Sequence, residues 1–307
     1  MRIIFISGVE LGWQCAKALL EKKFDIAAIF CLPESMKARS GYADFTQLGI
    51  EFNVPVYAFE DVNSPESVSK IKSIAPDLIL VVGWSTIIGE TILSIPKKGV
   101  IGHHPTLLPK HRGNAPIPWT LINGLTESGV TLFFLEKEID KGGIVDQKAF
   151  SIGFEDDAPA LYLKATNATI SLLLEVLPKI ENNTINTKIQ DSKRVSKWGK
   201  RKPEDGIIDW NSMTIYLYNW VRGLTHPYPG AFTFIGDKKL FIWKAQIADE
   251  KLDKGKPGEV IKANNSILVK TGDGGLFLTS LQFEGEPELS AADFIKLYNI
   301  KLGTIFE

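Results

Sequence analysis

Two of the four histidines in this chain, His103 and His104, stand side by side at the end of the apolar run KGVIGHH (98–104). An imidazole titrates near neutral pH and can hold or pass a proton. The stretch that follows is polar and stiffened by Pro105, Pro109, Pro116 and Pro118. In open α/β sheets ligands bind beyond the carboxyl ends of the strands, so this loop is a site candidate on physical grounds alone. Other chemistries are poorly provided for. The sequence has no GxGxxG and no GxxxxGK[ST] motif, so no dinucleotide or P-loop site is announced. Its two cysteines, Cys15 and Cys31, lie in apolar runs and build neither a disulfide framework nor a multi-cysteine zinc site.

The elements that must position this loop alternate between strand and helix. Strands are expected at 2–7, 25–30, 77–82 and 98–104, and again at 129–136 and 144–152. Helical spacing marks 11–22, 45–52 and 64–74, and a long amphipathic stretch runs from 158 to 180. DLILVV (77–82) is apolar on both faces, which marks a central parallel strand. The alternation predicts an open, mostly parallel sheet covered on both faces. Composition shifts after Ile180. Residues 181–203 are polar, with Lys193, Arg194, Lys197, Lys200, Arg201 and Lys202 close together, and read as a linker. From 204 to 307 one helix (212–224) precedes short β runs broken by Gly, Pro and Asp, spaced as in a small barrel.

The chain has 307 residues, enough for two domains, with 35 Lys plus Arg against 36 Asp plus Glu and a net charge of −1. Near-neutrality excludes a surface that grips nucleic acid everywhere. The N-terminus reads as a first strand and not as a signal peptide, and no stretch approaches 18 uncharged apolar residues. A cytoplasmic protein is expected, so the sequons at Asn167, Asn182 and Asn264 carry no glycosylation meaning.

HPTLLPKHRGNAP (104–116), GVT (129–131) and DKG (140–142) together resemble the folate-dependent formyltransferase family. The resemblance continues through KRKPEDGIIDW (200–210) and VRGLTHPYPGAF (221–232), segments like the linker and C-terminal domain of two-domain members. It implies a Rossmann-like catalytic domain at 1–180, a linker at 181–203 and a small OB-like β-barrel domain at 204–307. It also implies transfer of a formyl group from N10-formyltetrahydrofolate to a primary amine, chemistry that needs a donor aimed at the formyl oxygen, a proton shuttle and a group orienting it. By resemblance the catalytic residues are His104 and Asp140. Folate contacts map to Thr86, Ile87 and Ile88, to Asn114, and to Glu136, Lys137, Glu138, Ile139 and Asp140. The family asparagine two residues before the histidine is here Gly102. Side chains alternate along a strand, so His103 points away from the face shared by 102 and 104 and reads as structural. Thr106, a backbone N–H or water is left to supply the missing donor.

Three readings compete for the activity: a sugar N-formyltransferase acting on a nucleotide-linked amino sugar for surface polysaccharide or O-antigen synthesis, a methionyl-tRNA formyltransferase, and a catalytically impaired folate-binding paralogue. From Glu204 to Glu307 there are 11 Lys plus Arg against 14 Asp plus Glu, a net of −3, whereas a barrel holding tRNA should be basic. The first reading leads, with small-molecule substrates, neither nucleic acid nor membrane as partner, and a homodimer suggested by exposed β edges. Glu10 and Trp13 sit where a second substrate could approach, although a Trp at a helix start is more often core; His226 reads as structural.

Overall fold

The computed structural model describes residues 1–307 except Arg39, Glu250, Lys251 and Asp253. Its strands are β1 (Ile3–Ile6), β2 (Ile26–Cys31), β3 (Val56–Ala58), β4 (Leu78–Val81), β5 (Val100–His104), β6 (Arg112–Gly113), β7 (Glu127–Phe134), β8 (Ile144–Ser151) and β9 (Lys197–Trp198), then β10 (Ala231–Ile235), β11 (Lys238–Ile247), β12 (Val260–Ala263), β13 (Ile267–Lys270), β14 (Gly275–Phe283) and β15 (Leu289–Ser290). The helices are α1 (Glu10–Glu21), α2 (Thr46–Phe52), α3 (Pro65–Ile74), α4 (Glu90–Leu93), α5 (Pro116–Ile122), α6 (Ala158–Glu181), α7 (Thr214–Leu224) and α8 (Ala291–Tyr298).

The first compact unit comprises Met1–Pro116, Glu127–Ile152 and Tyr162–Gly199. Its seven-stranded sheet runs β3-β2-β1-β4-β5-β7-β8, parallel through β5 and antiparallel at β5–β7 and β7–β8. The strand order reverses between β1 and β4, the switch point beside which ligands gather in doubly wound folds. β1 and β4 are buried along their whole length, because helices cover both faces and apolar side chains are favoured on each. The α1 helix turns Leu11, Cys15 and Leu19 inward, and α3 starts where Ser64 Oγ accepts from the Ser67 N–H at 3.2 Å.

α6 is the one helix among the described residues long and apolar enough to cross a membrane by length and composition. Here its apolar stripe, Ala165, Leu172, Leu173, Val176 and Leu177, is buried in the protein, and charged Lys164, Glu175 and Lys179 lie along the rest.

The second unit comprises Ile117–Thr126, Gly153–Leu161 and Lys200–Glu307. Its antiparallel sheet runs β10-β11-β14-β13-β12, with β15 on β14. Leu217, Val221 and Leu224 of α7 join Leu240, Ile242, Leu278, Leu281 and Phe294 in one core. Two stretches from inside the expected 1–180 domain therefore group with the C-terminal unit. Their anchors are specific: Arg222 Nη1 donates to the Asp156 carbonyl at 2.6 Å, and the Arg201 guanidinium lies 4.7 and 4.6 Å from the rings of Trp119 and Trp220. The expected linker differs as well. Through Gly199 it belongs to the first unit, where Lys188 bridges Ile144 and β9 pairs with β6. No apolar period marks it because it binds through hydrogen bonds and one ring stack.

Candidate active site

His104 ends β5 and is 6% exposed. Its Nε2 lies 2.9 Å from the carbonyl oxygen of His111. A carbonyl can only accept, so Nε2 carries the proton and Nδ1 is the nitrogen left to exchange one. Nδ1 faces Asp140 Oδ2 at 3.9 Å. The structure thus brings together the two residues that the resemblance pairs, although 36 positions separate them in the chain.

Each partner is held by backbone that turns sharply. His111 has φ +61° and stacks on Trp198, centroids 4.0 Å apart and planes 10° from parallel. Its N–H donates to Ser196 Oγ at 2.9 Å. Asp140 has φ +54°, and its Oδ2 accepts from the Gly113 N–H at 2.9 Å. Gly113 (φ +104°) must be glycine, because a Cβ there would lie 2.5 Å from the Trp198 carbonyl oxygen. Behind Asp140, Gln190 Nε2 donates to the carbonyls of Asp140 and Gly142, both at 2.8 Å, while Gln190 Oε1 accepts from Arg112 Nε and Nη2 at 3.2 and 2.6 Å.

The proline-braced loop hangs on Thr131, the threonine of GVT. Its hydroxyl donates to the Thr106 carbonyl at 2.6 Å and accepts from the Leu108 N–H at 3.1 Å, and Gln147 Nε2 donates to it and to the Leu108 carbonyl, both at 2.8 Å. Thr106 Oγ1 donates to the Lys110 carbonyl at 3.1 Å. That hydroxyl is therefore committed and does not replace the missing donor.

Gly102 shares the face of His104, and the space a side chain would need there is filled. A Cβ would lie 2.4 Å from Leu135 Cδ2 and 3.3 Å from Phe133 Cε1. The asparagine is absent and its place is packed. His103 lies on the opposite face and meets Thr169 Oγ1 of α6 at 2.9 Å. Burial first, and the neighbouring His104 second, push its pKa down to about 3.

The expected folate segments fall in two loops of the first unit. Thr86 and Ile87 are exposed after β4, Ile87 at 62%, whereas Ile88 is buried with Ile4 and Ile79. Glu136, Lys137, Glu138 and Ile139 form an exposed loop, and the Lys137–Glu90 ion pair at 2.7 Å ties this loop to α4, two residues past Ile88. Glu138 pairs with Lys141 at 2.6 Å, which lowers its pKa. Asn114 is exposed and its backbone N–H bonds the Trp198 carbonyl at 3.3 Å. In the loop after β4, the buried indole N–H of Trp84 has no hydrogen-bond partner among the described residues. An unsatisfied buried donor is chemistry that a ligand with a hydrogen-bond acceptor would satisfy.

Glu10 accepts from Gln14 at 2.7 Å, and Trp13 is half-buried under the Lys17 ammonium at 5.4 Å. His226 pairs with Glu288 at 3.0 Å and stacks on Trp243. A separate cavity of about 730 Å³ lies among Leu32, Tyr42, Asp44, Asn53 and Val56 and shares no residue with the His104 site. Cys31 lines it, but burial and then Asp44 push that thiol up to about 12, so it is no nucleophile. Sequence reasoning missed Arg112, Thr131, Gln147, Gln190, Ser196 and Trp198 as parts of the site; the only available signal was the GVT and HRG strings that contain Thr131 and Arg112.

The comparisons with known proteins agree with this geometry. Residues 1–177 match the Formyl transferase family and residues 200–299 match Formyl transferase, C-terminal domain. The chain is 33% identical over 308 residues to the methionyl-tRNA formyltransferase of Geobacter sulfurreducens, covering 99% of this chain and 96% of that one. Among solved structures it is similar to HypX from Aquifex aeolicus in complex with tetrahydrofolic acid (TM-score 0.72, 19% identity, 98% of this chain), of which it spans only 48%. It is also similar to the N-formyltransferase from Helicobacter canadensis in complex with folinic acid and dTDP-3-aminofucose (TM-score 0.69, 18% identity, 91% of this chain and 98% of that one). A chain matched by both formyltransferase family models along its length, and 33% identical to a relative covered almost end to end, belongs to the folate-dependent formyltransferase family.

Proposed function

We propose that this protein transfers a formyl group from N10-formyltetrahydrofolate to the primary amine of a nucleotide-linked amino sugar. The folate supplies the activated formyl carbon. Thr86, Ile87, Ile88 and the loop Glu136–Asp140 would hold it, with the Trp84 indole N–H as a donor awaiting its acceptor. His104 keeps its Nε2 proton on the His111 carbonyl and exchanges a proton at Nδ1. As an imidazolium it offers Nδ1–H to the oxygen on which negative charge develops. Asp140, oriented by the Gly113 N–H, takes the proton that the attacking amine loses; the formyl C–N10 bond then breaks, and His104 Nδ1–H supplies the proton with which N10 leaves as tetrahydrofolate. With Gly102 packed by Leu135, charge stabilisation rests on His104 in place of an asparagine.

The observation that supports a sugar nucleotide as acceptor is the net charge of −3 from Glu204 to Glu307, opposite to what a tRNA-holding module needs. In this reading the enzyme works in the cytoplasm and its formamido sugar serves surface polysaccharide synthesis. A second reading, methionyl-tRNA formyltransferase, has its own support: the 33% identity over nearly the whole of that relative, and the exposed basic side chains of Lys193, Arg194, Lys197, Lys200 and Lys202. Purified protein with N10-formyltetrahydrofolate, assayed against dTDP-, UDP- and GDP-linked amino sugars beside methionyl-tRNA, separates them. Turnover of a sugar nucleotide is expected; turnover of the charged tRNA and of no sugar would overturn the assignment.

A further inference from the structure

We propose that Gln190 and Arg112 are positioning residues for Asp140, joined to it in a closed circuit of hydrogen bonds. The inference rests on the reading of Asp140 as the proton partner of His104. The circuit starts at Asp140 Oδ2, which accepts from the Gly113 N–H at 2.9 Å. Gly113 is covalently next to Arg112, whose buried guanidinium sends Nε and Nη2 to the single oxygen Oε1 of Gln190. Gln190 Nε2 closes the ring by donating to the carbonyls of Asp140 and Gly142.

The chemistry of this ring is directional. A full positive charge on Oε1 polarises the amide and strengthens both Nε2–H donors, which end on the turn that holds the carboxylate. That turn needs holding. Asp140 sits at φ +54°, outside the usual region for a residue with a Cβ, and Gly142 passes so near the Phe134 carbonyl that a Cβ would lie 1.8 Å from its oxygen. Gln190 therefore grips 140 and 142 from behind while Gly113 fixes the carboxylate in front. Gln190 is itself buried, and its hydrogen bonds go to Arg112, Asp140 and Gly142 and not to His104, so it acts through Asp140.

The test is a double-mutant cycle on the full chain, with N10-formyltetrahydrofolate and whichever acceptor of the panel above is turned over. A displacement of order 1 Å can cost about 10²-fold in rate, so Gln190→Met is expected to lower kcat by roughly 10- to 100-fold. Gln190→Glu keeps the shape and the Arg112 partner but has no N–H to give, sets a carboxylate oxygen against two carbonyls, and is expected to lose activity to the same degree. On an Asp140→Asn background, where the positioned group is already gone, Gln190→Met is expected to cost less than about 3-fold more. Equal losses in both backgrounds, or Gln190→Glu with full activity, would overturn the positioning role. Asp140→Asn at wild-type kcat would instead remove the role of Asp140, and with it the mechanism proposed above.

Discussion

The two faces of β5 carry the same side chain one residue apart and use it in opposite ways. On one face His103 packs, half-buried, against α6. The Thr169 hydroxyl donates its proton to the Ala165 carbonyl at 2.7 Å and so accepts from His103 Nε2–H, while burial keeps the ring neutral. On the other face His104 also spends Nε2–H on a fixed acceptor, the His111 carbonyl, but turns Nδ1 toward a carboxylate. Burial alone makes a histidine inert; burial beside an acid, with one nitrogen left for exchange, makes it a proton carrier. The difference comes from the loops each face meets, a packed helix behind and three turns with hydrogen-bonding backbone in front.

The sharpest way to break this contrast is to delete each ring. His104→Ala is expected to lower kcat by about 10²–10⁴-fold, the usual range for a positioned acid or base, while His103→Gln leaves kcat near the wild-type value. Steady-state rates with the amine that the panel identifies decide it, and a pair of effects in the reverse order would sink the assignment. A smaller effect is expected from restoring the family asparagine. Gly102→Asn meets Leu135 at 2.4 Å and should cost roughly 1–3 kcal/mol of stability by overpacking, with no gain in kcat. Chemical denaturation measures the loss, and pairing the change with Leu135→Ala should recover part of it; a stable, faster Gly102→Asn enzyme would show that the packed space is not the obstacle.

A separate effect belongs to the other face of β5 and to pH. His103 titrates near 6.5 when unfolded and near 3 when folded. Between those values the unfolded chain binds a proton that the folded chain refuses, so stability contributed here is complete above about pH 6.5 and falls as pH drops toward 3. Denaturation midpoints across that window should slope less in His103→Gln than in the wild type. Parallel slopes would mean that His103 is not the neutral, α6-packed group described.

Much of the site was legible in the chain because it is written in residue types that the chemistry requires. His104, the prolines of the loop and the DKG string stand in contiguous motifs, and strand alternation alone separated His103 from His104. The strands β1, β2, β4 and β5 were legible for a similar reason, since a strand covered on both faces is apolar throughout, as β4 is; the three-residue edge strand β3, which is not fully buried, was not. The clamp was not. Gln190, Ser196 and Trp198 lie in a polar, basic stretch with no period, and their partners are Arg112, His111 and Gly142, 48 to 87 positions away. A hydrogen bond over such a separation leaves no local pattern. The same holds for 117–126 and 153–161, whose membership in the second unit depends on single anchors such as Arg222 and Arg201.

By itself the sequence determined the main strands and helices of the first unit, the opposite facing of the two histidines and the uneven charge along the chain. The elements and the facing follow from backbone geometry repeated every two or 3.6 residues and the charge follows from composition, all of which are local, while the family was legible only as a resemblance of contiguous motifs such as 104–116. Only the tertiary structure decided which nitrogen of His104 is committed, what fills the space beside Gly102, and that a segment resembling a linker holds Asp140 in place. Those are choices among partners brought together by chain closure over tens of residues, where a single donor finds its acceptor and no neighbouring residue records the match.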